Sequence, residues 1–320
     1  MTRQTKAYIS LIFICVVWGT TYLAIRVGVL HYPPFLFAGV RQVVAGLILI
    51  PLALIGNRRT DLSMLNLRRQ AFMGFLMLTV GNGGVTWAEK YIPSGIAALL
   101  CCMMPIFAVL FNLASSKKDH FNATIGTGML LGICGVGLIF RHNIADLARP
   151  EYIGGMVGIL LATAGWAYGS TLSKRYGAAE NPLFNAGLQL SLGGIFMLLL
   201  SPIADDHSAP LVWNNDGMLS LLYLITFGSV LAYAAYMFAL RVLPVGVATI
   251  YAYVNPLIAV IAGYLFLHEE LNIYVGLAFI TIVISVFLVN RGYRQQHKEA
   301  ATKKGTEMAD TFPENAPAES

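Results

Sequence analysis

Three ionisable side chains, Arg26, Arg41 and Glu89, lie inside long apolar stretches of this sequence, where charged groups are rare. Arg41 falls about two helical turns into the apolar run 34–55, and Glu89 ends the run 70–89. Charged residues at membrane depth are costly and mark substrate sites, ion pairs or proton relays. A Glu89 pair with Arg41 or Arg26 would close one side of a cavity, and Arg41 would also suit a substrate carboxylate. The alternative is a static ion pair, or side chains that reach the membrane interface.

Aromatic and amide side chains in the same runs supply the other candidate binding groups. Their rings suit apolar, hydroxyl-bearing or cationic ligands through stacking and cation–π contacts, although an interfacial aromatic belt is the alternative. An amide beside glycines or before a proline would either meet a ligand or satisfy a backbone carbonyl. The predicted binding or gating residues are Trp18, Tyr22, Arg41, Asn82, Glu89, Trp166, Gln189, Tyr251, Tyr253 and Asn255.

The sequence lacks the residue sets of an enzyme or a metal centre. Its six histidines all fall in predicted loops, turns or the tail, so no catalytic or metal-ligating set forms at membrane depth. The four cysteines have neither disulfide nor zinc spacing. No glycine-rich phosphate loop followed by Lys and Ser/Thr is present, so ATP drive is not encoded. We expect no catalysis, no metal and no other cofactor. Proton coupling is left open, because Glu89 is the one suitable titrating group.

The composition places these residues in a membrane. The 320 residues are 57% hydrophobic and 12% charged, whereas a soluble domain is about 25% charged. Lys and Arg cluster between the apolar runs, which puts both termini in the cytoplasm and argues against a basic face for nucleic acid. The polar tail 291–320 is predicted to be disordered and cytoplasmic. A spanning helix needs roughly 20 apolar residues, and ten runs qualify: 8–29, 34–55, 70–89, 92–114, 122–140, 152–173, 183–202, 217–239, 244–267 and 271–290.

An internal duplication organises the ten runs. Trp18 in the first run recurs as Trp166 in the sixth, 148 positions later. The runs divide into two five-helix repeats, 8–140 and 152–290. Because five is odd, the second repeat must enter the membrane from the opposite side, as in the inverted repeats of secondary transporters. The predicted fold is therefore all-α and integral to the membrane, with ten transmembrane helices in two five-helix inverted repeats around a central cavity.

Four prolines recur in register between the halves. Pro93 and Pro105 of the fourth run are followed 151 positions later by Pro244 and Pro256 of the ninth. A proline within a span removes a backbone donor and leaves a carbonyl for another partner. We predict that these helices are kinked and line the cavity, with a simple packing kink as the alternative.

Ordered motifs cover nearly the whole chain apart from its tail. They are WGTTY at 18–22, PP at 33–34 with AGVR at 38–41, GNG at 81–83, PSGIAA at 93–98 and YAYVNP at 251–256. Together they resemble the EamA-type, ten-helix members of the drug/metabolite transporter superfamily, among them exporters of the bacterial inner membrane.

The resemblance implies a function that the residues alone do not. It implies a multi-pass protein of the inner membrane that exports small metabolites, such as amino acids, or amphipathic drugs by alternating access. The alternative within the same fold is a flippase for lipids or lipid-linked carriers. The expected partners are a small-molecule substrate and the lipid bilayer, with the chain working as a monomer or a homodimer.

Overall fold

The computed structural model describes residues 1–55, 60–115, 122–142, 149–176, 181–208, 212–243, 251–270 and 272–311. Within those ranges the chain is helical and contains no strand. Numbered in chain order, the helices are α1 Arg3–Val29, α2 Pro34–Ile55, α3 Met64–Ala88, α4 Ser94–Cys101, α5 Met104–Ser115, α6 Ala123–His142, α7 Pro150–Tyr176, α8 Pro182–Ala204, α9 Asn215–Val242, α10 Tyr251–Leu267 and α11 Ile273–Thr311.

Six helices in the described part of the chain are long and apolar enough to cross a membrane, namely α1, α2, α3, α7, α8 and α9. Shorter apolar helices fall within the four other predicted spans, at Ser94–Ala108, Ala123–Gly135, Val254–Leu267 and Ile273–Val289. The molecule is therefore an all-helical membrane protein with many spans, and the count of ten stays a prediction.

The fourth predicted span is broken near its proline. α4 ends at Cys101 and α5 begins at Met104, so the break comes just before Pro105. Pro256, by contrast, lies inside the continuous helix α10. Pro93 precedes α4 and takes its N-cap position, where a proline costs the helix no hydrogen bond. Pro244 lies outside the described residues.

The two halves pack against each other through glycines. A Cβ on Gly46 of α2 would lie 2.8 Å from the Gly187 carbonyl oxygen of α8, and a Cβ on Gly194 would lie 2.9 Å from the Gly39 carbonyl oxygen. Only glycine allows two helix backbones to approach this closely. Gly187 and Gly194 follow Gly39 and Gly46 at the 148-residue offset that also relates Trp18 to Trp166. The four glycines meet at one reciprocal helix crossing.

The glycines of α6 make their contacts inside the chain. A Cβ on Gly128 would lie 2.8 Å from the Ser285 carbonyl oxygen of α11, and one on Gly132 would lie 2.7 Å from Ser285 Oγ. This face of α6 is therefore a packing surface within one molecule.

The last helix extends beyond the membrane-length segment. α11 continues to Thr311, so residues 291–311 are helical where the sequence predicted disorder. Many residues of this stretch are Lys, Arg, Gln, Glu and Ala, which have high helix propensity. A helix already nucleated in the apolar segment extends at low cost. Residues 312–320 lie outside the described part of the chain.

Candidate functional site

A cavity lies among the helices, between the two halves of the chain. It has a volume of about 100 Å³, which is room for several water molecules or part of a small solute. Helices from both halves contribute to its wall. Seven of the ten residues predicted from the sequence line it, namely Trp18, Tyr22, Arg41, Asn82, Trp166, Tyr251 and Asn255.

Arg41 begins a chain of hydrogen bonds along the cavity wall. Its Nε donates to Ser229 Oγ at 2.9 Å, Ser229 Oγ donates to Gln42 Oε1 at 2.9 Å, and Gln42 Nε2 donates to Asn82 Oδ1 at 2.9 Å. The Arg41 side chain is 3% exposed, and its Nη1 donates to none of the described residues. The network therefore fixes the guanidinium but leaves one of its donors unused.

A π-helical segment of α9, Leu224–Leu231, supplies the backbone beside this network. Trp18 Nε1 donates to the Gly228 carbonyl oxygen at 3.0 Å. Arg41 Nη2 lies 3.0 Å from the point where a Cβ of Gly228 would sit. A side chain at this position would therefore push the guanidinium aside. Single π-helical turns of this kind are frequent at functional sites, and this one places Arg41 next to Trp18.

Aromatic rings from both halves form the apolar part of the site. Trp18 packs edge-on against Trp166, with ring centroids 5.7 Å apart, and against Tyr251, with centroids 4.9 Å apart. Tyr236 fills the space behind them, 5.1 Å from Trp18. The Tyr236 and Tyr251 hydroxyls lie beside the Trp166 indole, yet its Nε1 is buried and has no hydrogen-bond partner among the described residues.

Glu89 lies apart from the cavity lining. It is 0% exposed, and neither carboxylate oxygen accepts a hydrogen bond within the described part of the chain. The carboxylate is thus not hydrogen-bonded to Arg41 or Arg26, as the predicted pairing would require. Arg26 Nη1 donates to the Glu89 backbone carbonyl instead. Arg26 and Glu89 therefore meet through the Glu89 backbone, and the predicted charge pair between their side chains is not formed by a hydrogen bond in this arrangement.

Gln189 also lies outside the lining, in a buried ladder of polar side chains between α3 and α8. Its Nε2 donates to Gln70 Oε1 at 2.7 Å, and Gln70 Nε2 donates to Asn66 Oδ1 at 2.8 Å. Asn66 Nδ2 in turn donates to Asn185 Oδ1 at 3.2 Å. Tyr233, which does line the cavity, donates its hydroxyl to Gln189 Oε1. Gln189 therefore connects to the site through Tyr233.

The two remaining predictions concern α10. The Asn255 amide faces the backbone carbonyls of Cys15 and Tyr251. In the amide orientation that satisfies both, its nitrogen donates to Cys15 at 3.0 Å and to Tyr251 at 2.9 Å. The amide thus satisfies backbone carbonyls, which is one of the two roles predicted for it. The residue also lines the cavity. The Tyr253 side chain lies outside the described residues.

Sequence reasoning missed several polar residues of the site as binding groups, among them Gln42, Ser229 and Tyr233. Gln42 follows Arg41 inside an apolar run, so applying the rule for ionisable groups to amides would have found it. Tyr233 is an aromatic residue within a predicted span, which is the same feature that identified the predicted aromatic residues. Ser229 carried no signal, because a small hydroxyl residue is common in membrane helices.

Comparison with known proteins identifies similar sequences over almost the whole chain. The model of the EamA-like transporter family matches twice, at residues 5–141 and 153–291. The inner membrane transporter YedA of Escherichia coli (strain K12) is 33% identical over 284 residues, which cover 88% of this chain and 90% of YedA. The transporter YvbV of Bacillus subtilis (strain 168) is 25% identical over 304 residues, covering 93% of this chain and 95% of YvbV.

A further relative and a solved structure agree with these matches. Protein PecM of Dickeya dadantii (strain 3937) is 28% identical over 263 residues, covering 80% of this chain and 82% of PecM. One crystal structure superposes with a TM-score of 0.61 over 91% of this chain and 98% of its own, at 18% identity. That likeness concerns the fold alone.

Proposed function

The chain belongs to the EamA-like transporter family, and from that premise we propose that it is a secondary exporter of small metabolites, such as amino acids, or of amphipathic drugs. Its named relatives include transporters of the bacterial inner membrane and not enzymes. The observation that carries the proposal is the cavity between the two halves, which is lined by aromatic rings and one fixed guanidinium. Secondary transporters bind their substrates at such an interface between repeats.

We also propose that the halves are inverted repeats that work by alternating access. Each half contains a π-helical segment in its third span, Phe75–Gly83 and Leu224–Leu231. The second span of each half also bonds to the third span of the other half, through Arg41 in one case and Gln189 in the other. Reciprocal contacts of this kind suit two halves that rock against each other around a fixed site. Both termini would be cytoplasmic.

Proton exchange would drive the export, with Glu89 as the proton site. The Glu89 carboxyl is fully buried and accepts no hydrogen bond from the described residues. The charged groups that act on it are Arg26, Glu269 and Arg41. An ionised carboxylate in such a place is expensive, and buried acids in membrane spans commonly serve as proton relays.

Transport by reconstituted protein tests the proposal. Proteoliposomes are loaded with labelled amino acids, labelled nucleosides or a cationic dye, and release is compared with that from empty liposomes. Ala162 lines the cavity, whereas Leu161 beside it is 63% exposed on the outside of the helices. We expect Ala162→Leu, which fills the cavity, to slow release strongly, and Leu161→Phe to leave the rate unchanged.

Three outcomes would count against the exporter. Equal release from wild-type and empty liposomes for every solute would remove the transport activity. Equal rates for Ala162→Leu and wild type would remove the cavity as the route. Movement of fluorescent lipids or lipid-linked sugars alone would support the flippase of the same fold.

A further inference from the structure

We infer that the cavity binds its substrate as an organic anion, with a carboxylate held between Arg41 and Trp166. The inference rests on the proposed function and adds the chemical class of the substrate. It depends on two unused hydrogen-bond donors, on the charge of the cavity wall and on the rings beside it.

The unused donors belong to two residues of the same cavity wall. Arg41 Nη1 and Trp166 Nε1 are buried and donate to no described residue. Each buried donor without an acceptor is destabilising, since most buried polar groups in proteins are paired. The two residues are linked through Trp18, which stacks edge-on against Trp166 and shares the Gly228 backbone with Arg41. A ligand that brings acceptor oxygens to this part of the wall would satisfy both donors.

The positive charge of the cavity wall favours a ligand that carries a negative charge. Among the described residues that line the cavity, Arg41 is the one that carries a charge. The acceptor that Arg41 already has, Ser229 Oγ, is neutral. Glu89 is the acid that acts on Arg41, but it is not among the residues that line the cavity and its carboxylate accepts no hydrogen bond from the guanidinium. A cationic substrate would therefore meet a positive charge without a hydrogen-bonded counter-ion in a poorly solvated site, where like charges repel strongly. A carboxylate would instead neutralise that charge and accept from the guanidinium.

The rings beside Arg41 determine which kind of group the ligand can carry next to its carboxylate. Trp18 and Tyr251 offer faces and edges to an apolar or aromatic body. Both donor atoms are themselves shielded in the structure, and the cavity of about 100 Å³ is small. Binding must therefore shift side chains, so we expect modest affinity with strong dependence on the carboxylate.

Matched probes separate the carboxylate from the body of the ligand. Phenylacetate, phenylacetamide and phenethylamine share one ring but are anionic, neutral and cationic. Indole-3-acetate and hexanoate, each with its amide and amine, vary the body. Binding to the purified full-length protein in detergent is measured by titration calorimetry. Because hydrogen bonds to charged groups are strong, we expect at least one acid to bind roughly tenfold to a hundredfold more tightly than its amide, and the amines not to bind.

Two variants test the two donors, each with its own control. Arg41→Gln should abolish the preference for the acid over its amide, whereas Lys90→Gln at an exposed position should not. Trp166→Phe removes an N–H that donates to none of the described residues, although the Tyr236 and Tyr251 hydroxyls lie near it. The protein should therefore stay folded while acid binding weakens. Trp87→Phe, which removes an indole outside the cavity lining, should change nothing.

The inference is overturned if no acid binds, if acids and amides bind equally, or if both variants keep the wild-type preference. Retention of the acid preference by Trp166→Phe alone would remove that indole from the proposed site. The failure of the exporter would look different, because acids would bind with the expected preference but would not leave proteoliposomes. Release of cationic solutes without acid binding would leave the exporter intact and refute the anion site.

Discussion

At the scale of single residues, Glu89 combines two properties that seldom occur together. Its carboxylate is fully buried without a hydrogen bond from the described residues, while its backbone carbonyl accepts from Arg26. Leaving a buried charge without a hydrogen bond costs several kcal/mol, whereas the protonated acid avoids most of that cost. In the described arrangement, the Glu89 carboxyl group is therefore more stable with its proton bound. It would release the proton when a cation or water reaches the carboxylate. This exchange is what coupling to a proton gradient requires.

We expect Glu89→Gln to uncouple substrate movement from proton movement. The amide has nearly the same shape but cannot release a proton, so substrate-driven proton flux should fall to background while substrate binding persists. Flux is measured in proteoliposomes with a pH-sensitive dye trapped inside. Glu151→Gln, at the exposed start of α7, is the matched control and should behave like wild type. Proton flux that survives in Glu89→Gln would show that another group carries the proton.

At the scale of helices, the two mid-span prolines have different consequences. The helix of Pro105 breaks between α4 and α5, whereas α10 runs on through Pro256. A proline at 256 leaves the carbonyl of Ala252 without its usual donor four residues on. Cys102, at the break between α4 and α5, donates its Sγ–H to that carbonyl oxygen at 2.7 Å. The broken helix of one half thus satisfies the carbonyl that the proline of the other half releases.

The Cys102 contact makes a prediction about stability. Cys102→Ala leaves the Ala252 carbonyl buried without a donor, which should cost about 1–3 kcal/mol of folding free energy. Cys102→Ser keeps a donor and should cost less. Melting of the purified variants in one detergent gives the order, with Cys134→Ala at an exposed site as the control. If the Ala and Ser variants melt together below wild type, lost packing rather than the hydrogen bond explains the loss.

Some residues of the site could be predicted from the sequence, whereas the contacts that depend on tertiary packing could not. Trp18 and Trp166 could be predicted as cavity-lining residues, because the same large residue recurs at the same position of both halves and both copies line the cavity. The missing bond from Arg41 to the Glu89 carboxylate could not be predicted, since it depends on which way two long side chains turn. The π-helical turn at Gly228 and the Cys102 contact arise from tertiary packing, so the local helix propensity of the sequence predicts neither.

At the scale of the whole molecule, two carboxylates of the second half hold the first half at one end of the bundle. Asp205 accepts from the backbone N–H groups of Phe35 and Leu36 at the start of α2, at 3.1 and 2.9 Å. Glu269 accepts from Ser94 N–H at the start of α4, at 2.9 Å. Helix N-termini favour negative charge. By the orientation predicted from the loop charges, both contacts lie on the outer side.

The other end of the bundle is joined in a different way. Asn181 Nδ2 donates to the Ala53 carbonyl oxygen at 3.0 Å, and Asn122 Nδ2 donates to the Gly292 carbonyl oxygen at 3.1 Å. These links are neutral, whereas the contacts of Asp205 and Glu269 are charged and therefore stronger. In the alternating-access cycle proposed above, an exporter opens its outer side to release substrate. We therefore expect the contacts of Asp205 and Glu269 to break in each cycle and to influence how readily the outer side opens.

Neutralising the two carboxylates should therefore favour opening toward the outside. Because a carboxylate cap contributes about 0.5–2 kcal/mol, Asp205→Asn and Glu269→Gln should each raise the open population roughly twofold to thirtyfold. A cysteine placed at Ile25, which lines the cavity, reports this as faster labelling by a membrane-impermeant maleimide, above the background of the parent chain. Asp206→Asn and Glu270→Gln change exposed neighbours in sequence and should leave the rate unchanged. If all four variants label alike, these contacts stabilise single helices and do not control the opening of the molecule.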